Sequence, residues 1–316
     1  MSGASIALLL ISTSLMVWYM HFREIDIPKQ QPRAALHAQI VDKTAPSPYR
    51  YRVLVPFAAE TMARAARPVL GERRSLLLAY GLIEAAAIVA LILVLFRFFA
   101  VFYGPLPALV GALIVNLSLV VALRDHYFQP WSLTNAVAFG LAALLLCRRR
   151  LVAFAVLVVI ASMNRETSVI LPFLYIATLG RRESAGRSVI VFLLLCALWC
   201  GGYLLVRLFQ GDAPYIYPLG TILEKNLSAK YIGFMLLNIP LFLGFVWIFA
   251  ARGIRTAPLF IRRLALFVPF YIVLVLVFGI WKEVRLLMPL YPAVVPAALS
   301  FLFPAARRTD PFPGRH

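Results

Sequence analysis

Long apolar runs alternate with short polar loops along most of the 316-residue chain. A helix rises about 1.5 Å per residue, so a hydrocarbon core of about 30 Å needs about 20 apolar residues to be crossed. Runs near that length predict an all-α polytopic membrane protein with about eight full transmembrane helices. The predicted spans are residues 4–22, 76–96, 105–123, 132–147, 188–209, 231–250, 264–280 and 286–303.

Two further apolar runs, residues 151–163 and 168–180, are too short to cross a bilayer comfortably. Each has about 13 residues, or about 20 Å as a helix, and the polar residues 164–167 stand between them. Irregular backbone at membrane depth is tolerated where it is buried in protein or lines a wet cavity, and charges there are functional by default. The pattern predicts a broken or re-entrant helix pair with a functional tip. The alternative is an ordinary loop in which Arg165 and Glu166 pair with each other.

The longest polar interval, residues 23–75, follows the first span. Prolines divide its first half, and its second half, residues 49–70, mixes apolar residues with arginines. That mixture predicts an amphipathic helix that lies in the membrane interface and does not cross it. We expect a single integral-membrane domain, residues 1–316, in which 23–75 is a long outer loop and 151–180 is the broken helix pair.

The composition agrees with a membrane protein and excludes an ordinary soluble domain, because 62% of the residues are hydrophobic, 14% are charged and the mean hydropathy is +0.87. The net charge of +18 indicates anionic lipid headgroups or phosphate-bearing substrates as partners more than nucleic acid. The three cysteines lie in apolar runs and predict no disulfide framework. No cluster of His, Cys or carboxylates has metal-ligand spacing, so no cofactor is predicted, although scattered carboxylates could still assemble a metal site.

The short loops at 148–150, 181–187 and 252–263 and the tail from residue 307 are rich in arginine. These segments share one side when the predicted spans are alternated, and the positive-inside rule places that side in the cytoplasm. We therefore expect a multi-pass protein of the inner (cytoplasmic) membrane with both termini in the cytoplasm. The outer loop 23–75 is also basic, and its arginines could bind lipid phosphate at the outer face.

Carboxylates near the ends of the predicted spans are candidate acid–base groups. Asp26 follows the first span, where it could deprotonate a substrate hydroxyl. Asp125 and His126 lie in an aromatic loop that is either an interfacial belt or a surface for stacking a sugar ring. Glu84 stands alone in an apolar run, where it would be neutral or paired with an arginine.

Residues 281–285 form a dense polar segment at the start of the last predicted span. We expect Glu283 and Arg285 to face different sides, so that one holds a phosphate while the other contacts the acceptor or the protein. The alternative is interfacial anchoring by tryptophan, lysine and arginine.

Residues 282–286, Lys-Glu-Val-Arg-Leu, followed by Pro289 and Pro292, resemble the Lys-Glu-x-Arg-Phe element with trailing prolines of eukaryotic GT-C mannosyltransferases. This sequence departs from the element at Trp281, where the family has histidine, and at Leu286, where it has phenylalanine. The acidic residues after the first span, the long first loop and the short broken helices also resemble the general plan of GT-C glycosyltransferases that use polyprenyl-phosphate sugars.

The resemblance implies inverting transfer of a sugar from a polyprenyl-phosphate donor to an unknown acceptor at the outer face of the cytoplasmic membrane. Such a reaction needs a carboxylate to deprotonate the acceptor hydroxyl and cations to stabilise the departing phosphate. The candidate catalytic residues are Asp26, as the preferred base, Asp42, Asp125, Glu166 and Glu283. The candidate substrate-binding residues are Arg50, Arg52, His126, Asn164, Arg165, Lys282 and Arg285. We expect Asp26, Glu166 and Glu283 to face one outer cavity, with Arg50 or Arg52 at its lipid-side opening.

Two other functions are compatible with the same pattern. A transporter or flippase of a lipid-linked or anionic substrate would also have a broken helix pair and buried charges, and its internal repeats should place matching interruptions in the two halves. A non-catalytic membrane protein of an envelope assembly would use the charges as interhelical contacts.

Overall fold

The computed structural model describes residues 2–124, 130–180, 183–216, 219–280 and 283–306, and all regular secondary structure in these residues is helical. The α-helices are α1 (Gly3–His21), α2 (Gln30–Val41), α3 (Leu54–Phe102), α4 (Pro105–Ala122), α5 (Trp131–Cys147), α6 (Leu151–Ser162), α7 (Leu171–Thr178), α8 (Ala185–Gln210), α9 (Leu219–Leu227), α10 (Ala229–Leu243), α11 (Val246–Gly253), α12 (Leu259–Leu264), α13 (Phe267–Phe278) and α14 (Tyr291–Leu302). A π-helical turn, Phe22–Asp26, continues α1, and 3-10 turns at Glu166–Ile170 and Val284–Leu290 lead into α7 and α14.

Among the described residues, six helices are long and apolar enough to cross a membrane, or seven if the bent pair α9 and α10 forms one span. The chain is therefore a multi-pass helical membrane protein. The six are Gly3–Asp26, Leu54–Phe102, Pro105–Ala122, Ala185–Gln210, Leu259–Phe278 and Val284–Leu302.

The described residues contain fewer candidate spans than the predicted eight, because two apolar runs form shorter helices. Helix α5 has 17 residues. The run 231–250 is divided at Gly244, whose φ of 54° ends α10 before α11 begins.

The predicted interfacial helix and the predicted second span belong to one 49-residue element, α3, which is broken at Gly71 (φ 73°, ψ 169°). Before this break, Ala59 and Ala63 are buried one helical turn apart and pack in the same apolar cluster as Ile40 of α2 and Tyr80 of α3. The first part of α3 thus covers α2 and the beginning of its own second part, which fixes the polar segment 23–53 against the helical bundle.

Helix α14 and the turn before it lie at the centre of the protein. In the most apolar 18-residue stretch of Val284–Leu302, 94% of the residues are buried, against 17% in the corresponding stretch of α8. The close approach of α11 to α14 requires a glycine, since a Cβ at Gly253 would meet the backbone carbonyl of Ala297. The hydroxyl of Tyr103 donates a 2.6 Å hydrogen bond to the carbonyl of Pro296, which ties the end of α3 to α14.

Polar segments from distant parts of the chain meet at one end of the bundle, which we call the site end. Lys43 donates to the carbonyl of Phe209 (2.8 Å), Arg50 to that of Asp212 (2.7 Å) and Asn164 to that of Trp131 (3.0 Å). Other loops meet at the opposite end of the bundle. There the hydroxyl of Ser188 donates a 2.6 Å hydrogen bond to the carbonyl of Gly180. The basic loop 148–150 follows α5, which begins at the site end, so this loop lies at the opposite end.

Candidate functional site

A cavity of about 370 Å3 opens at the site end. Its volume falls within the range of roughly 300–1,000 Å3 that is usual for small-molecule sites. Its wall combines charged, aromatic and aliphatic side chains from the segment before α3, the turn before α7, α8, α13 and the turn before α14. The lining residues that matter for its chemistry are Arg52, Arg165, Glu166, Trp199, Tyr203, Arg207, Tyr215, Leu274, Val275, Phe278 and Leu286.

The turn between α6 and α7 is held in place by Asn164. Its amide nitrogen donates to the carbonyl of Trp131 (3.0 Å), and its amide oxygen accepts from the hydroxyl of Thr134 (2.9 Å). The hydroxyl of Ser168 donates to the carbonyl of Arg165 at 2.6 Å. The tip is therefore packed against the start of α5 and presents Arg165 and Glu166 to the cavity.

Arg165 is buried, with 7% of its surface exposed. Its Nη1 donates to the hydroxyl of Ser132 at 3.1 Å, its Nε has no hydrogen-bond acceptor, and among the described residues no carboxylate lies within 4.0 Å of its guanidinium. Burial, together with the positive charges of Arg52 and Arg285, lowers the pKa of Arg165 to about 10. The group therefore carries its charge at neutral pH, and within the described part of the chain no carboxylate is in direct contact with it.

Glu166 pairs with Arg52 and not with its chain neighbour Arg165, so the alternative of an Arg165–Glu166 pair is wrong. Nη2 of Arg52 lies 3.1 Å from Oε2 of Glu166, and the guanidinium lies 5.3 Å from the ring centroid of Trp131. The Glu166 side chain keeps 31% of its surface exposed. The carboxylate can thus reach a molecule in the cavity while Arg52 holds it in place.

Helix α8 contributes a row of three side chains at four-residue spacing. The rings of Trp199 and Tyr203 stack at 4.8 Å, and the guanidinium of Arg207 lies 4.6 Å from the Tyr203 ring and 4.1 Å from that of Tyr51. Residues four apart on a helix share a face, which directs all three toward the cavity. A sequence signal for this row existed, because the three residues interrupt an apolar run at helical spacing, but the run was interpreted only as a span.

Glu283 and Arg285 form an ion pair of 2.8 Å, so the expectation that they face different sides is wrong. Arg285 is 2% exposed. Glu283 lines a second, mostly apolar cavity of about 210 Å3 together with Trp247 of α11. The positive charge of Arg285 contributes to the lowered pKa of Arg165.

Asp26 lies elsewhere, so the expected single cavity shared by Asp26, Glu166 and Glu283 is not what the structure has. Asp26 is fully buried and forms an ion pair with Arg33 of α2, within a cluster that also contains His21 and Glu84. Glu84 pairs with Arg33 at 3.2 Å, as one interpretation of its isolated position allowed.

Two further predicted residues, Asp42 and Arg50, do not line this cavity. Asp42 is exposed at the end of α2. Arg50 donates to the backbone of Asp212 and is outside the lining. Asp125, His126 and Lys282 lie outside the described residues.

Comparison of the chain with protein-family models, with curated proteins and with solved structures returned no match. The fold and the site define a class: a helical multi-pass membrane protein whose distant loops build a basic, aromatic and apolar cavity at one end. The function is argued from that geometry.

Proposed function

We propose that this protein is a membrane glycosyltransferase that moves a sugar from a polyprenyl-phosphate donor to an acceptor at the outer face of the cytoplasmic membrane. The proposal rests above all on Arg165, a buried guanidinium at the cavity wall with no carboxylate partner among the described residues. A buried charge without a counter-ion is costly. The cavity is suited to a ligand that brings negative charge, and guanidinium groups match phosphate oxygens well.

The three kinds of lining match the three parts of such a donor. Arg52, Arg165 and Arg207 supply positive charge for the phosphate. The stacked rings of Trp199 and Tyr203 offer a face for the sugar. An aliphatic and aromatic wall, formed by Leu274, Val275, Phe278 and Leu286, suits the first prenyl units of the lipid chain.

Glu166 takes the role of the catalytic base in this proposal, because it is the carboxylate that the described residues place on the cavity wall, whereas Asp26 is buried elsewhere. In the transfer step, Glu166 accepts the proton of the acceptor hydroxyl while the hydroxyl oxygen bonds to the anomeric carbon of the sugar. The bond from that carbon to the phosphate oxygen breaks, and its electron pair leaves with the lipid phosphate. Arg165 and Arg207 stabilise the negative charge that develops on the phosphate.

The arginine-rich loops support a location at the outer face. Their described segments, 148–150, 183–187 and 252–263, belong to the end opposite the site, and the positive-inside rule favours the cytoplasm for them. The site end would then open toward the exterior.

A flippase of the same kind of lipid is the second candidate. A second interruption is the observation in its favour, since α9 and α10 are bent by 72° at their junction. This junction and the break between α6 and α7 both lie in the second half of the chain, whereas repeat-based transporters carry matching interruptions in both halves, so the flippase stays second. Both candidates use the cationic wall, but only the transferase needs the carboxylate of Glu166 as a base.

The test combines lipid mass spectrometry with a turnover assay on purified protein. The wild type is expected to copurify with a polyprenyl-phosphate sugar, and Arg165→Gln is expected to lose it. Glu166→Gln is expected to retain the lipid but to transfer its sugar about 10² to 10⁴ times more slowly, the usual contribution of a general base.

Arg148→Gln, an exposed arginine at the opposite end, is the matched control and should change neither lipid content nor turnover. A wild type that carries no phosphate lipid, or an Arg165→Gln variant that carries as much as the wild type, would contradict the proposed site. A Glu166→Gln variant that moves the lipid across vesicles at the wild-type rate, in a protein that transfers no sugar, would favour the flippase.

A further inference from the structure

A second polar cluster lies at the junction of α1, α2 and α3, away from the lining of the cavity. It consists of His21 at the end of α1, Asp26, Glu84 of α3 and Arg33 of α2, all of them buried. The π-helical turn Phe22–Asp26 brings His21 and Asp26 together. Its i to i+5 bonding, seen in the 3.0 Å hydrogen bond from Ile27 N to the carbonyl of Phe22, places residues five apart on nearly the same side.

The hydrogen bond of His21 to the backbone determines which ring nitrogen faces the carboxylates. Nε2 lies 2.9 Å from the carbonyl oxygen of Leu123. A carbonyl oxygen only accepts, so Nε2 carries a proton, and in a neutral imidazole the lone pair is on Nδ1. Nδ1 lies 3.5 Å from Oδ2 of Asp26 and 3.5 Å from Oε2 of Glu84.

These separations are longer than a usual N–H to O hydrogen bond of about 2.7–3.2 Å. They match the distance of about 3.4 Å between two ligands that each lie about 2.1 Å from a tetrahedral metal ion. The ligand atoms of His21, Asp26 and Glu84 all lie within 4.8 Å of one another. Oδ2 of Asp26 is buried and receives no hydrogen bond from the described residues. It points into the space between the three ligand atoms.

Arg33 holds the other oxygens of both carboxylates, Oδ1 of Asp26 and Oε1 of Glu84. Oδ2 and Oε2 are thereby left facing Nδ1 of His21. Metal sites in proteins commonly combine a histidine that donates its second N–H to a backbone carbonyl with carboxylates held by neighbouring groups; here Arg33 donates a hydrogen bond to Asp26 and forms an ion pair with Glu84.

We propose that His21, Asp26 and Glu84 bind one divalent cation of the zinc class, with a fourth position left for water or an anion. One imidazole and two carboxylates are ligands that such ions accept, and three protein ligands are typical of sites that keep an open position. Two carboxylates, Arg33 and a divalent ion carry a net charge of +1, so one anionic fourth ligand makes the buried group neutral. This inference is independent of the proposed transfer activity, because none of the three residues lines the cavity.

The protein contains a second buried histidine–glutamate pair that serves as a matched control. Nδ1 of His37 lies 3.0 Å from the hydroxyl of Tyr80, and Nε2 lies 3.0 Å from Oε2 of Glu60. Both distances are those of direct hydrogen bonds, so His37 is expected to bind no metal.

The test is zinc titration of detergent-purified protein that carries no polyhistidine tag and has been treated with a chelator, with bound metal counted by mass spectrometry after gel filtration. We expect about one zinc per chain for the wild type and for His37→Gln, and at least a tenfold lower affinity for His21→Gln and Asp26→Asn. A wild type that binds no zinc, or a His21→Gln variant that binds it like the wild type, would overturn the proposal.

Cobalt binding to the wild type keeps the proposal testable if the variants fail to fold. Cobalt in a tetrahedral site of nitrogen and oxygen ligands gives strong visible absorption that added zinc removes. A wild type without this absorption in excess cobalt would also refute the site, since it would indicate that an imidazolium and not a metal ion lies between the carboxylates.

Discussion

Arg52 and Glu166 form an ion pair of 3.1 Å although 114 positions separate them in the chain. The pair links the segment before α3 to the turn before α7. It commits the carboxylate of the cavity wall to Arg52, and Arg165 therefore has no carboxylate of its own among the described residues. This division of charge has consequences for both stability and binding.

We expect Arg165→Gln to leave the lipid-free protein as stable as the wild type or more stable by up to about 2 kcal/mol. The substitution removes a buried charge that Arg52 and Arg285 repel, and a glutamine can still bond to Ser132. Thermal unfolding after delipidation measures the effect. A loss of stability of about 2 kcal/mol or more would indicate a structural arginine and not a binding one.

The same variant should lose the stabilisation that polyprenyl phosphate gives to the wild type. A ligand that binds only the folded state raises its stability in proportion to the logarithm of ligand concentration over Kd. Unfolding curves with and without added polyprenyl phosphate provide the measurement, and an equal shift in both proteins would contradict the role of Arg165.

Trp199 should report occupancy of the cavity. Its indole N–H donates to the hydroxyl of Ser168 at 2.8 Å, beside the Arg165 turn, and its ring lines the cavity. Polyprenyl phosphate is expected to change the fluorescence of the wild type and of Trp247→Phe, whose indole lines the second cavity, but not of Trp199→Phe. A signal that persists in Trp199→Phe would place the ligand elsewhere.

Gly253→Ala should destabilise the protein by about 1–3 kcal/mol, although alanine is the better helix former. The added Cβ would meet the backbone carbonyl of Ala297, and a backbone atom cannot move without shifting α14. Gly201→Ala in α8 is the control, because nothing lies within 4 Å of its added Cβ, and we expect it to be neutral or slightly stabilising. Equal melting temperatures for the two variants would show that α11 and α14 are not in close contact.

The orientation can be tested with cysteines at the two ends, after Cys147, Cys196 and Cys200 have been replaced by serine. An impermeant maleimide should label Asp212→Cys in intact cells and Arg148→Cys only after permeabilisation, because the arginine-rich loops are expected in the cytoplasm. Labelling of Arg148→Cys alone in intact cells would reverse the orientation and place the cavity inside.

The helical membrane class could be predicted from the sequence because it depends on local quantities, the length and apolar character of each run. The approximate position of most spans followed in the same way. The number of candidate spans among the described residues did not, since α5 has only 17 residues and Gly244 adopts a positive φ angle that ends α10 inside a continuous apolar run.

The sequence also singled out the 164–167 turn and the arginines around it, because charges between short apolar runs are conspicuous. It could not determine which charges pair. Glu166 is adjacent to Arg165 in the chain but forms its ion pair with Arg52. Asp26 forms its ion pair with Arg33 and does not line the cavity. Ion pairs depend on distances of a few ångströms, and those distances are set only when helices far apart in the chain pack together. The division of these charges into a basic cavity and a separate His–Asp–Glu cluster was therefore decided by the tertiary structure alone.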